Sequence, residues 1–184
     1  SVTVAIGAIG NAGNGTNSGH TRVYIWNGNS WIQKGMDING ESAGDESGSS
    51  VNMPDANTVA IGAPFNDGSG INSGHVRVYT WNGTAWTQKG SDLDGESADD
   101  NSGYSVNMPD ANTLAIGAHQ NDGTGSNAGH VRIYKWNGST WIQKGGDIDG
   151  ESMGDLSGRS VWMSDSNNIA IGAPNAIGQI SRSG

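Results

Sequence analysis

The chain has 184 residues, 31 of them Gly and none Cys, with Lys+Arg 9 against Asp+Glu 18, a net charge of -9. The lack of Cys excludes a disulfide scaffold and thiol chemistry, and a pI of 4.6 without a basic cluster lacks the positive footprint that nucleic acid or an anionic membrane surface requires. No stretch approaches the ~20 apolar residues of a membrane span, while a charged fraction of only 15% and 7 Trp oppose disorder and point to a turn-rich all-β chain.

The chain repeats itself. VAIGA at 4–8 returns at 59–63, as LAIGA at 114–118 and as IAIGA at 169–173, each step being 55 residues. The same offset carries His20 to His75 and His130, Trp26 to Trp81 and Trp136, and Trp31 to Trp86 and Trp141. A period near 50 belongs to propeller blades. About 3.3 repeats are therefore expected in one array without linkers: residues 4–58, 59–113, 114–168 and a partial fourth, 169–184.

One copy shows the elements in chain order. Residues 104–108 alternate as a first strand, and the string PDAN at 109–112 is expected as its turn. Thr113–Ala118 reads as the second strand, followed by a polar Gly, Asn and Asp loop. His130–Trp136 reads as the third strand, and Asn137-Gly138 as a tight hairpin turn. A fourth strand over 140–145 carries Trp141, and the connection 146–158 leads to the next first strand at 159–163. Four short antiparallel strands per repeat predict β-propeller blades. Closure with six to eight blades would need roughly 330 to 440 residues, so a partial propeller is expected, completed by further repeats or a second copy.

In an up-and-down sheet, successive turns alternate ends. Both long loops of each repeat then share one face, which also holds most carboxylates. Asp92, Asp94 and Glu96 in one connection, and Asp147, Asp149 and Glu151 in the next, offer alternating oxygen ligands for a hard cation such as calcium. The competing reading is a set of solvated turns held by their own Asp side chains. The loops at 66–74 and 121–129 vary between copies, making Asn66, Asp67, Ile71, Asn121 and Asp122 candidate ligand-binding residues. The repeated Trp pairs read as packing, with sugar stacking as the alternative. The repeated His residues read as structural hydrogen-bonding groups at a strand start. Trp162 breaks the repeat where Asn52 and Asn107 stand, and His119 replaces Pro64. With neither a nucleophile elbow, a metalloprotease helix nor a phosphate loop in the sequence, no enzyme is expected.

The strings SGYSVNMPDANTLAIGAH and SGSSVNMPDANTVAIGAP resemble the FG-GAP repeat of integrin alpha-subunit propellers, and VYxWNGxxWxQKGxDIDGE is similar to its bacterial and environmental surface-protein forms. The resemblance covers nearly the whole chain, with Gly62-Ala63-Pro64 and Gly172-Ala173-Pro174 as GAP-like ends. It departs at Ser47, Ser102 and Ser157, where the family has Phe, and in lacking the DxDxDG calcium loop between the first two strands. The resemblance implies an extracellular or cell-surface recognition and adhesion module with a protein or glycan partner. Two alternatives stay open: a structural assembly element without a soluble ligand, and a lectin-like propeller.

Overall fold

The computed structural model describes residues 2–177, in which sixteen strands and no helix occur. Blade 1 comprises β1 (Thr3–Ala8), β2 (His20–Trp26), β3 (Trp31–Gln33) and β4 (Ile38–Asn39). Blade 2 comprises β5 (Ser50–Asp55), β6 (Thr58–Ala63), β7 (His75–Trp81), β8 (Trp86–Gln88) and β9 (Leu93–Asp94). Blade 3 repeats it as β10 (Ser105–Asp110), β11 (Thr113–Ala118), β12 (His130–Trp136), β13 (Trp141–Gln143) and β14 (Ile148–Asp149). Blade 4 is the pair β15 (Ser160–Asp165) and β16 (Asn168–Gly172). Every ladder is antiparallel, in the order β5-β6-β7-β8 and its equivalents. The chain is all-β, and its two full units are antiparallel sheets of propeller type, four strands across, in which the two-residue β9 or β14 shares an edge with β8 or β13. Each sheet starts one strand earlier than the sequence repeats marked at 59 and 114.

Packing between blades follows from alternation along the second strand. Val59 and Ile61 of β6 join Val51, Met53, Tyr79 and Trp86 against Ala5 and Ile38 of blade 1. Ala60, Val76 and Val78 turn the other way, against Val106, Met108, Leu114, Ile116 and Trp141 of blade 3. Blades 2 and 3 thus each have a face toward the preceding blade and a face toward the next, both apolar. Gly62 is small because a Cβ there would overlap the Gly103 carbonyl of blade 3, as one on Gly117 would overlap that of Gly158. The first strands of neighbouring blades lie side by side. Asn52 Oδ1 accepts the Met108 N–H at 2.9 Å and Asn107 Oδ1 the Met163 N–H at 2.8 Å. Trp162 occupies the third such position and is 60% exposed.

The aromatic pairs are structural. Trp81 and Trp86 pack across the ladder with ring centroids 5.5 Å apart. The Lys34 ammonium of blade 1 stands 5.2 Å from both rings and donates to Asn57 Oδ1 at 2.7 Å. The Trp86 indole donates to the Lys34 carbonyl at 2.7 Å. Lys89, Trp136 and Trp141 repeat the arrangement one blade on.

Local expectations need three adjustments. The PDAN string is not all turn: β10 runs through Pro109 to Asp110, which pairs with Thr113, and the register shifts between Asn107 and Asp110. Proline has no N–H for the ladder, so an irregular strand position suits it. Asn137-Gly138 does not make a two-residue turn either. The loop spans 137–140 between the paired Trp136 and Trp141, and Asn137 Oδ1 accepts the N–H groups of Ser139 and Thr140, both at 2.9 Å. Last, the long connections contain the short strands β4, β9 and β14. β6 occupies one whole edge of β7, so β8 and β9 share the other.

Candidate functional site

The two long loops of each blade meet at one end of the sheet, as the alternation of turns requires. In blade 2 the backbone N–H groups of Asp99, Asn101 and Ser102 donate to the carbonyls of Ile71, Asn72 and Ser73 at 2.8, 3.1 and 2.9 Å. The face is also tied between blades. Asn66 Nδ2 donates to the buried Asp45 of blade 1 at 3.2 Å, and Asn121 Nδ2 to the buried Asp100 at 3.0 Å. Between the first two blades these loops enclose a cleft of about 400 Å³ whose lining includes Glu41, Asp45, Asn66, Asp67, Asp92 and Asp94.

Beside this cleft lies a His and carboxylate cluster that forms twice. The ladder sets His75 opposite Asp94 and His130 opposite Asp149. His75 is 1% exposed and its Nδ1 has no hydrogen-bond partner. That nitrogen lies 3.7 Å from Asp92 Oδ2, 3.9 Å from Asp94 Oδ1 and 3.9 Å from Glu41 Oε2 of the preceding blade. His130 is 2% exposed with the same unpartnered Nδ1, 3.6 Å from Asp147 Oδ2 and 3.9 Å from Glu96 Oε2. Leaving a buried polar atom unpaired costs about 1–3 kcal/mol. The protein bears this cost at both clusters.

The neighbours decide the charge state. Burial, and then the Arg77 guanidinium, push His75 down to about 4 against the pull of Asp92 and Asp45. Burial lowers His130 as well, against Asp147, Asp100 and Asp149. Both imidazoles are therefore neutral at pH 7. Asp94 is raised by burial and by the charge of Asp92. Burial opposes the Asp147 carboxylate, but donation from Gln143 and Arg132 prevails and its pKa is lowered.

The calcium set expected within one connection is divided by the fold. Asp92 and Asp94 face His75 together with Glu41, whereas Glu96 crosses to His130 and Asp147 of blade 3. Asp149 stands opposite His130. Glu151 is exposed and joins no His cluster among the described residues. Of the loop residues, Asn66 and Asn121 are buried and committed to the preceding blade. Asp67 and Asp122 are exposed and cap their own loops through the N–H groups of Asn72 and Asn127, at 2.9 and 2.7 Å. Ile71 projects from its loop, 68% exposed. The sequence reading missed the role of His75 and His130 with Glu41. The available signal was that all three members of the first cluster recur together, 55 residues on.

The chain matches no protein-family model and no curated protein. No helix among the described residues is long and apolar enough to cross a membrane.

Proposed function

We propose that this chain is a non-enzymatic extracellular recognition module of FG-GAP type, in which the blades form a rigid platform and the acidic loop face meets a protein or glycan at a cell surface. The observation that carries the reading is the construction of that face. Tips that differ between copies, Thr16, Ile71 and Ser126 at one equivalent position, stand exposed beside Asp67 and Asp122 on loops whose backbones are bonded to one another and to the adjoining blade. Variable tips on a fixed floor suit recognition, because little ordering remains to be done on binding. Clusters repeated every 55 residues favour shared binding features over a single acid and base pair.

The test is a glycan array together with a panel of cell-surface proteins. Ile71→Ala with Asp67→Asn should reduce capture of the ligand found, while stability changes by no more than about 0.5 kcal/mol. Contacts mapped instead to the opposite end, at Asn82-Gly83 and Asn137-Gly138, would sink the reading.

Assembly is the second reading, and a separate observation favours it. Val4, Ile6, Tyr24 and Trp31 line an open apolar cleft on blade 1. Their equivalents Val59, Ile61, Tyr79 and Trp86 are covered by the preceding blade. The fitting occupant is a blade face, from a further repeat of the same chain or from a second copy. If a second copy supplies it, sedimentation should show concentration-dependent association that Ile6→Asp removes.

A further inference from the structure

We propose that Glu41, His75 and Asp92, and equivalently Glu96, His130 and Asp147, each bind one divalent transition-metal ion such as Zn²⁺, clamping consecutive blades at their loop-bearing end. This goes beyond the recognition reading and does not depend on it.

Four observations support the assignment. The first is the unpartnered Nδ1 of a fully buried imidazole, present twice and aimed each time at carboxylate oxygens from two blades. The second is a division of labour among oxygens. Glu41 Oε1 pairs with Arg77 at 3.1 Å, leaving Oε2 toward His75. Glu96 Oε1 pairs with Arg132, leaving Oε2 toward His130. Gln88 donates to Asp92 Oδ1 at 2.6 Å, so Oδ2 is the oxygen that faces the imidazole. Outer hydrogen bonds of this kind fix the orientation of metal-binding carboxylates. In the second cluster Asp147 Oδ2 also accepts from Arg132 at 3.1 Å, and a bound ion would share that oxygen.

Charge is the third. Glu41, Asp92 and Asp94 outnumber Arg77, and Glu96, Asp147 and Asp149 outnumber Arg132, by two negative charges each. A dication neutralises that excess. The fourth is dimensional. Tetrahedral bonds of 2.0–2.1 Å place ligand atoms roughly 3.4 Å apart, and the Nδ1 to oxygen separations are 3.6 to 3.9 Å. Contraction by a few tenths of an ångström brings each carboxylate to ligand spacing from the imidazole, the three ligand atoms already lying within 4.8 Å of one another, and water supplies the fourth position.

The donor set selects the metal. Calcium takes six to eight oxygen ligands. A neutral imidazole with two carboxylates suits zinc and its neighbours in the transition series. Blade 1 serves as an internal comparison. His20 Nδ1 is also buried without a hydrogen-bond partner and lies 3.2 Å from Asp37, so the difference is in the oxygens: its ladder partner is Asn39, not Asp, and no Glu from a preceding blade faces it among the described residues.

Isothermal titration of chelator-treated protein with ZnCl₂ tests the assignment. Two equivalents are expected, with an excess of Ca²⁺ failing to compete. Glu41→Gln should remove one equivalent or weaken it at least tenfold, and Glu41→Gln with Glu96→Gln should affect both. These glutamates are partly exposed, and circular dichroism checks that the variants fold. Should the double variant unfold, the single variant still reads out the loss of one site. A Co²⁺ complex should show visible absorption that His75→Asn halves. The assignment is overturned by fewer than one equivalent of zinc, by zinc binding indifferent to both glutamates in folded variants, by effective Ca²⁺ competition, or by a third equivalent at His20.

Discussion

His119 stands where the preceding copy has Pro64, and the sequence alone assigns it no role. In the fold it is buried against Tyr104, ring centroids 4.0 Å apart, and Arg159 of blade 4 lies 5.4 Å from the same ring. Burial, and then the Arg159 charge, lower it from 6.5 to about 4. The unfolded chain therefore takes up a proton between these values that the folded chain refuses. Its contribution to stability is complete above pH 6.5 and is lost as pH falls toward 4. In chelator, the urea midpoint should drop between pH 7 and pH 4.5, and His119→Gln should make that drop smaller, leaving the part contributed by His75 and His130. An unchanged slope would mean that His119 is protonated in place. The repeated histidines show how far residue-level reading reaches. Their place at a strand start was legible, but their freedom from hydrogen bonds depends on loops two connections away.

At the scale of elements, strand order and the shared end of the long loops followed from alternation and turn parity. Two kinds of element escaped. β4, β9 and β14 pair through two residues each, too few to show alternation, although β9 and β14 place Asp94 and Asp149 opposite the imidazoles. The Asn-Gly hairpins looked like two-residue turns because the local signal is the same. The flanking Trp pair instead closes a four-residue loop in which the Asn side chain, and not its φ, is the working part. The Gly of the AIGA string has a reason visible only between elements. Gly62→Ala should cost about 1–3 kcal/mol as overpacking, since the added Cβ meets the Gly103 backbone. Gly10→Ala, with nothing within 4 Å, should change stability by no more than about 0.5 kcal/mol. Equal costs in denaturant unfolding would remove close blade approach as the explanation.

For the molecule as a whole, one comparison separates what sequence dictates from what neighbours dictate. β1 and β6 are the same hexapeptide, TVAIGA, and both pair antiparallel with a strand beginning at His. β6 is buried along its entire length; β1 is not. Ile61 is 1% exposed between two blades and Ile6 is 52% exposed on the open face of blade 1. Local propensity is identical, so the difference lies in the neighbours: β5 pairs along one edge of β6 and the preceding blade covers its face, whereas β1 has neither among the described residues, just as the meeting of Glu41 with His75 lay outside anything a single repeat could reveal. In a linear array, stability is a sum of unit terms and nearest-neighbour interfaces. Ile61→Ala should therefore cost about 2–5 kcal/mol through lost burial and a cavity. Ile6→Ala, on dilute monomer, should cost no more than about 0.5 kcal/mol. Equilibrium unfolding of the two variants in parallel makes the comparison, and a small penalty at Ile61 would contradict the blade interface itself. A penalty at Ile6 that grows with protein concentration would show a second copy seated on blade 1.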